Sequence, residues 1–266
     1  EMVSSFYFAR SRLQRFDEYE RADRPQFRFV SDATGEYIFA DGHQSPVCRA
    51  NIIGPTSGRV RMIINGPGQL FGFGLLPAGW AALIGDGTEK PPDRAIDPAD
   101  LFGPWIDEVA VALEKAATVE EKLVIGNNFA REVLTRNEHP PMWFIRTVDG
   151  WLTASASPQV PELVEATGMS IRSVERMTKH YYGLSPRMLA RKYRAVRAAS
   201  ALARGEGLDA AQLGDAFYDQ SHLIREIKRF AGATPGQLGK PTTYTEATTK
   251  GRKQLAGRVS PIVSET

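Results

Sequence analysis

Apolar and polar positions divide the chain into two stretches with different periods. Through residues 1–85, short runs rich in β-branched and aromatic residues are broken by Gly, Pro, Asn and Asp: FRFV, EYIFA, RVRMIIN and LFGFGLL. Such runs predict strands, and NGPGQ at 65–69 is turn chemistry between two of them. Strands at this spacing predict a sandwich or a small barrel. From 101 the period becomes helical. PWIDEVAVALEKA places Trp105, Val109 and Leu113 four residues apart, with Ile106 one turn below Val109 and Pro104 in the first turn. TVEEKLVIGNNFAREVLTRN opens with Thr118 and Glu121 at capping-box spacing, with Leu123, Phe129, Val133 and Leu134 as its apolar positions. This helix pair either covers the barrel or meets a second subunit. HPPMW at 139–143 is a Pro-marked break, and the chain then reads as helical to about 238.

The fold class is therefore α+β, in three parts. Residues 1–138 form a β-barrel or sandwich with helices. Residues 139–240 form an all-α domain with two helix-turn-helix modules. Residues 241–266, polar, basic and poor in large apolar groups, are expected to form a disordered tail.

Inside the helical part lies a repeat. SVERMTKHYYGLSP (173–186) aligns with HLIREIKRFAGATP (222–235) at a constant offset of 49 residues. Val174 matches Leu223, Arg176 matches Arg225, Lys179 matches Lys228 and Tyr181 matches Phe230. Gly183 matches Gly232, and Ser185-Pro186 matches Thr234-Pro235. Each copy predicts an amphipathic helix ended by a glycine in the left-handed conformation, then a Ser or Thr cap with Pro at the first position of the next helix. A shorter helix precedes each copy, at 157–167 before the turn Gly168-Met169-Ser170 and at 208–216 before Phe217-Tyr218-Asp219. Helix, tight turn, helix is the plan that sets its second helix in the DNA major groove, with N-terminal residues on base edges. Gln220, Ser221, His222 and Arg225 head the second such helix. Ser170, Ile171, Arg172, Ser173 and Arg176 hold the same place in the first.

The segment 185–207 between the copies reads as one linker helix. About 17 helical residues span ~25 Å. With the width of each module added, the two reading helices reach successive major-groove faces ~34 Å apart. Along the linker, Arg187, Arg191, Lys192, Arg194, Arg197 and Arg204 are candidate phosphate contacts.

Charge supports this placement. The 266 residues carry a net charge of only +2. Residues 1–159, however, hold 16 Lys and Arg against 21 Asp and Glu, whereas residues 160–240 hold 13 against 8. The basic third is where a polyanion would be met.

The C-terminal hundred residues resemble the AraC/XylS family of bacterial transcription regulators. ATGMSIRSVERMTKHYYGLSPRML and FYDQSHLIREIKRFAGATP carry the resemblance. It implies a DNA-binding unit of two helix-turn-helix modules joined by a long helix. By position, the base-reading candidates are Arg172, Ser173 and Arg176 in the first module, and Gln220, Ser221, His222 and Arg225 in the second. Lys179, Lys228 and Arg229 are implied phosphate contacts. The chain departs from the family at Thr178 and Ile227, where an aromatic commonly stands, and at Ala216, in place of the usual turn glycine. Thr178 puts a hydroxyl at an expected core position. Residues 71–103 are similar to a strand-turn-helix passage in the β-barrel sensor domains of some members. That similarity implies an N-terminal domain that binds a small effector, mediates dimerisation, or does both.

The remaining chemistry is sparse. Cys48 is the only cysteine, which removes disulfides and cysteine-based zinc sites and fits a cytoplasmic setting. No apolar run reaches the ~18 residues of a membrane helix. His43 lies near Cys48, but the four histidines (His43, His139, His180, His222) are scattered, so no metal site is expected. GPGQLFGFG (66–74) leads into a strand rather than a helix and does not make a phosphate cradle. Trp80, Phe71, Phe73 and Trp105 are core positions or the lining of a ligand pocket.

The chain thus reads as a sequence-specific DNA-binding regulator and not as an enzyme, with no cofactor. The expected partners are operator DNA with two successive major-groove segments, RNA polymerase, a small-molecule effector and a second copy of the chain. Two rival readings are a β-barrel enzyme with an appended regulatory DNA-binding domain, and a constitutive DNA binder with an inert dimerisation domain.

Overall fold

The computed structural model describes residues 2–85, 92–135, 140–208, 213, 216–240 and 242–254. It separates into two compact units. The first comprises residues 1–19, 23–56 and 60–140; the second comprises 20–22, 57–59 and 141–266.

The first unit is built on two antiparallel sheets. Strands β1 (Val3–Ser11), β8 (Gly68–Leu75), β3 (Gln26–Ser31), β6 (Ala50–Ile53) and β9 (Ala95–Ile96) form one sheet in that order. Strands β2 (Arg15–Glu20), β7 (Val60–Asn65), β4 (Thr34–Ile38) and β5 (Gln44–Pro46) form the other. The sandwich expectation is met. The glycine-rich run expected to lead into a strand is β8 itself.

Register explains why the first sheet is covered on one face. β1, β8 and β3 align Phe6 and Phe8 with Phe73 and Phe71, and these with Phe27 and Phe29. Alternate residues of a strand point to one side, so these six rings form an aromatic row. Helix α3 (Ile106–Lys115) and helix α4 (Val119–Leu134) lie over that row, with Ile106, Leu113, Phe129 and Val133 in the shared core. Phe129 meets Phe27 and Phe29 edge-on at 4.9 and 5.3 Å between ring centroids. The helix pair covers the sheet, one of its two expected roles. Trp80 and Phe73 are fully in the core, and Trp105 packs at its edge.

Thr118 and Glu121 cap α4 reciprocally, as their spacing predicts. The buried stripe of α4 differs from the expected one. Leu123 is exposed, whereas Phe129, Val133 and Leu134 are buried as expected, with Lys122, Gly126 and Ala130 completing the stripe. Gly126 is the reason: a Cβ there would stand 2.4 Å from the Phe71 ring. The helix approaches the sheet through its glycine, and the faces on either side are turned accordingly.

The second unit is helical. Its elements are α5 (Met142–Ala154), α6 (Val160–Thr167), α7 (Ile171–Tyr182), α8 (Pro186–Ala203), α9 (Gln220–Ala231), α10 (Pro235–Leu238) and α11 (Thr243–Lys253). The helix expected at 208–216 falls mostly outside the described residues; within it, Leu213 and Ala216 are buried. Helix α11 corrects the expectation of a disordered tail across 241–266. Its many threonines and lack of an apolar stripe hid it. Glu246 sits in the first turn and Lys250 and Arg252 toward the C-terminal end, which suits the helix dipole. Residues 255–266 lie outside the described residues.

Candidate nucleic-acid interface

The two copies of the repeat fold into matching helices. α7 is capped by Ser170, whose hydroxyl accepts from the Ser173 amide. α9 is capped by Asp219, whose carboxylate accepts from the His222 amide. Gly183 and Gly232 end the two helices with φ of 68° and 82°, in the left-handed region that glycine occupies without steric cost. Ser185 and Thr234 then cap α8 and α10, each followed by Pro at the first position. Every one of these cap positions repeats at the offset of 49.

In the first module, α6 ends at Gly168 with φ of 65° and delivers the chain into α7 across two residues. Val174, Thr178 and Tyr182 face the core of α7. Arg172, Arg176 and Lys179, at i, i+4 and i+7, are exposed. On α9, Ile227 and Phe230 are fully buried, while Ser221, Arg225 and Lys228 are exposed at the same three positions. At 3.6 residues per turn each trio forms one outward row. Gln220 and Arg229 are also exposed. Ser173 is half-buried and bonded to the capping Ser170 hydroxyl at 3.0 Å.

His222 has a dual position. Its Nδ1 accepts the Tyr218 backbone N–H at 3.3 Å, and its ring meets Phe217 edge-on. With Nδ1 accepting, Nε2 is left to donate. Ile171, placed by the sequence on the leading face of the first helix, is exposed, and so is Tyr218 before the second, by 93%.

The linker helix α8 is shorter of free cations than its sequence suggests. Arg191 pairs with Glu226 through two hydrogen bonds. Lys192 is buried. Arg194 donates to the Ser157 hydroxyl at 3.0 Å and lies over the Phe217 ring, and burial lowers its pKa. Arg204 makes a bidentate pair with Glu206. Arg191, Lys192 and Arg194 are thus engaged within the unit, which corrects their reading as phosphate contacts, Arg204 is paired locally, and Arg187 remains exposed. The 18 residues of α8 give it a length of roughly 27 Å.

The segments 20–22 and 57–59 belong to this unit. The Ala22 and Arg59 amides donate to the Phe230 and Arg229 carbonyls at 2.6 and 2.9 Å, satisfying the C-terminal turn of α9.

Under the first module, the Asp149 carboxylate accepts from the Tyr182 hydroxyl at 2.8 Å, and that hydroxyl also lies 3.1 Å from the Ile145 carbonyl. Burial pushes the Asp149 pKa up to about 6, against a smaller opposing effect of the tyrosine.

Elsewhere, burial raises the Cys48 thiol pKa, and His43 is exposed beside the Phe39 ring. Among the described residues, no three His, Cys, Asp or Glu side chains are grouped to hold a metal, and no helix is long and apolar enough to cross a membrane. His139 lies outside the described residues.

Residues 163–240 match the helix-turn-helix domain family. Three solved structures of ToxT from Vibrio cholerae share the fold. The unsaturated fatty acid-bound wild type has a TM-score of 0.51 at 10% identity, covering 91% of this chain and 98% of ToxT. An apo variant has a TM-score of 0.50 at 9% identity, covering 90% and 98%. The form bound to (E)-4-(8-methylnaphthalen-1-yl)but-3-enoic acid has a TM-score of 0.50 at 9% identity, covering 88% and 97%. A comparison with curated protein sequences found no match. Residues 163–240 thus carry a helix-turn-helix domain of the AraC type, a DNA-binding module.

Proposed function

We propose that α7 and α9 enter successive major-groove segments of one operator. Arg172, Ser173 and Arg176 face base edges in the first segment; Gln220, Ser221, His222 and Arg225 face them in the second. Lys179, Lys228 and Arg229 meet phosphate. The observation that carries this reading is the pair of exposed rows, Arg172/Arg176/Lys179 and Ser221/Arg225/Lys228, on helices with the same caps. Arginine can fork onto guanine, and glutamine can pair with adenine. The Nε2 proton of His222 suits a guanine or phosphate acceptor.

The β unit is proposed to receive a small-molecule effector that changes how the reading helices are presented to DNA. The support is the shared fold with ToxT, two of whose structures hold carboxylic acids. A second copy of the chain and RNA polymerase are proposed as macromolecular partners. The exposed Val119, Leu123 and Val124 on α4 are the apolar surface that favours a second copy.

The test is operator binding by Arg176→Ala and Arg225→Ala. Each is expected to lose about 1–3 kcal/mol on the cognate site and to relax preference at one base position. A loss of equal size on every sequence would leave only phosphate contact.

A further inference from the structure

Lys122 is a lysine in the wrong place. It projects from α4 toward the aromatic row and is only 5% exposed. Its hydrogen bond goes to the Leu113 carbonyl, and its ammonium lies 5.7 Å from the centre of the Phe8 ring. A buried ammonium ordinarily has a carboxylate partner. The two nearest acids are committed elsewhere. Glu114 pairs with Arg49 at 3.3 Å. Glu121 is taken by the Ala117 and Thr118 amides in the cap of α4. Burial lowers the Lys122 pKa and Arg10 adds to this, against smaller opposing effects of Glu121 and Glu114, so its charge is only partly compensated.

Beside Lys122 is a cleft between the sheet and the helix pair. Phe8, Phe29, Phe71 and Leu113 give it apolar walls, and Ser31 and Arg49 add polar groups. The cleft is narrow and open at one side. Its volume is about 20 Å³, room for about one water, so the walls must part for a ligand to enter.

We infer that this cleft binds an apolar carboxylate, whose head group pairs with the Lys122 ammonium while its hydrocarbon body lies on Phe8, Phe29 and Phe71. The inference deepens the effector reading and rests on it. An anion supplies the charge that Lys122 lacks, and the aromatic floor favours a hydrocarbon over a sugar or nucleotide. Arg49 stands at the mouth with its carboxylate partner, so the deeper lysine, which has no carboxylate bonded to it, selects the head group. Apolar walls exclude a small hydrophilic acid such as acetate.

Decanoate is the probe, titrated calorimetrically into the full-length protein, with decanol as the uncharged control. The wild type is expected to bind decanoate at least tenfold more tightly than decanol. Lys122→Met is expected to lose that preference while binding decanol as before. Lys122→Arg, which keeps the charge, is expected to retain most of it. DNA binding by each variant without ligand reports that it is folded. Tight decanoate binding unchanged in Lys122→Met overturns this site but leaves a carboxylate effector standing. A wild type that prefers decanol, or binds neither, overturns the carboxylate inference. The effector reading itself fails separately, if decanoate binds at Lys122 and operator affinity does not change.

Discussion

Arg191 on the linker helix and Glu226 on the second reading helix share a bidentate ion pair, with donor–acceptor distances of 2.8 and 3.1 Å. Glu226 is only 5% exposed. The pair locks α9 to α8 from its inner side, and it raises the Arg191 pKa through the hydrogen bond. It also hides a negative charge on a helix whose outer face is proposed to approach phosphate. Glu226→Ala would leave Arg191 without its acid. The expected loss is about 1–3 kcal/mol, below the value for a fully buried pair because Arg191 is partly solvated. Chemical denaturation of the second unit measures it, and an unchanged midpoint would mean that the pair contributes no stability.

Thr178 offers the opposite effect. It is fully buried in α7, and its hydroxyl has no hydrogen-bond partner. A buried unsatisfied hydroxyl costs about 1–3 kcal/mol, and valine has nearly the same shape. Thr178→Val is therefore expected to raise the melting temperature without altering operator preference. A lower melting temperature would show that the hydroxyl is satisfied in solution.

Asp149 makes the first module sensitive to acid in an unusual direction. Its pKa rises from 3.8 unfolded to about 6 folded. A group raised on folding contributes its full stability below the unfolded value and loses it as pH climbs through the folded one. Stability from this group thus falls between about pH 4 and pH 6, by roughly 1–3 kcal/mol. When protonated, Asp149 can donate to the Tyr182 oxygen while the tyrosine donates to the Ile145 carbonyl, so both bonds are made at once. Asp149→Asn is expected to flatten this pH profile and to be the more stable protein at pH 7. A profile equally steep in the variant would assign the titration to another group.

What the sequence made legible follows from backbone geometry. Gly183, Gly232, Ser185-Pro186 and Thr234-Pro235 stand where the chain must turn left-handed or begin a helix, and few other residues can serve. The repeat was readable for that reason, and so was the capping box at Thr118 and Glu121. Positions decided by tertiary contact were not readable. Leu123 and Lys122 exchanged their expected places because Gly126 sits against Phe71, which no local pattern reveals. Arg191 and Arg194 look like DNA contacts until Glu226, Ser157 and Phe217 arrive from distant parts of the chain. Strand β2, RFDEYE, is masked by its charges, and α11 by its threonines.

The central claim is that two matched modules read one stretch of DNA, and selection of bound sequences from a random pool by the full-length protein tests it most directly. The account predicts an enriched motif with two half-sites about one helical turn apart, one half weakened by Arg176→Ala and the other by Arg225→Ala. Steeply salt-dependent binding with no enriched motif would contradict it, because phosphate contact alone would then explain the affinity.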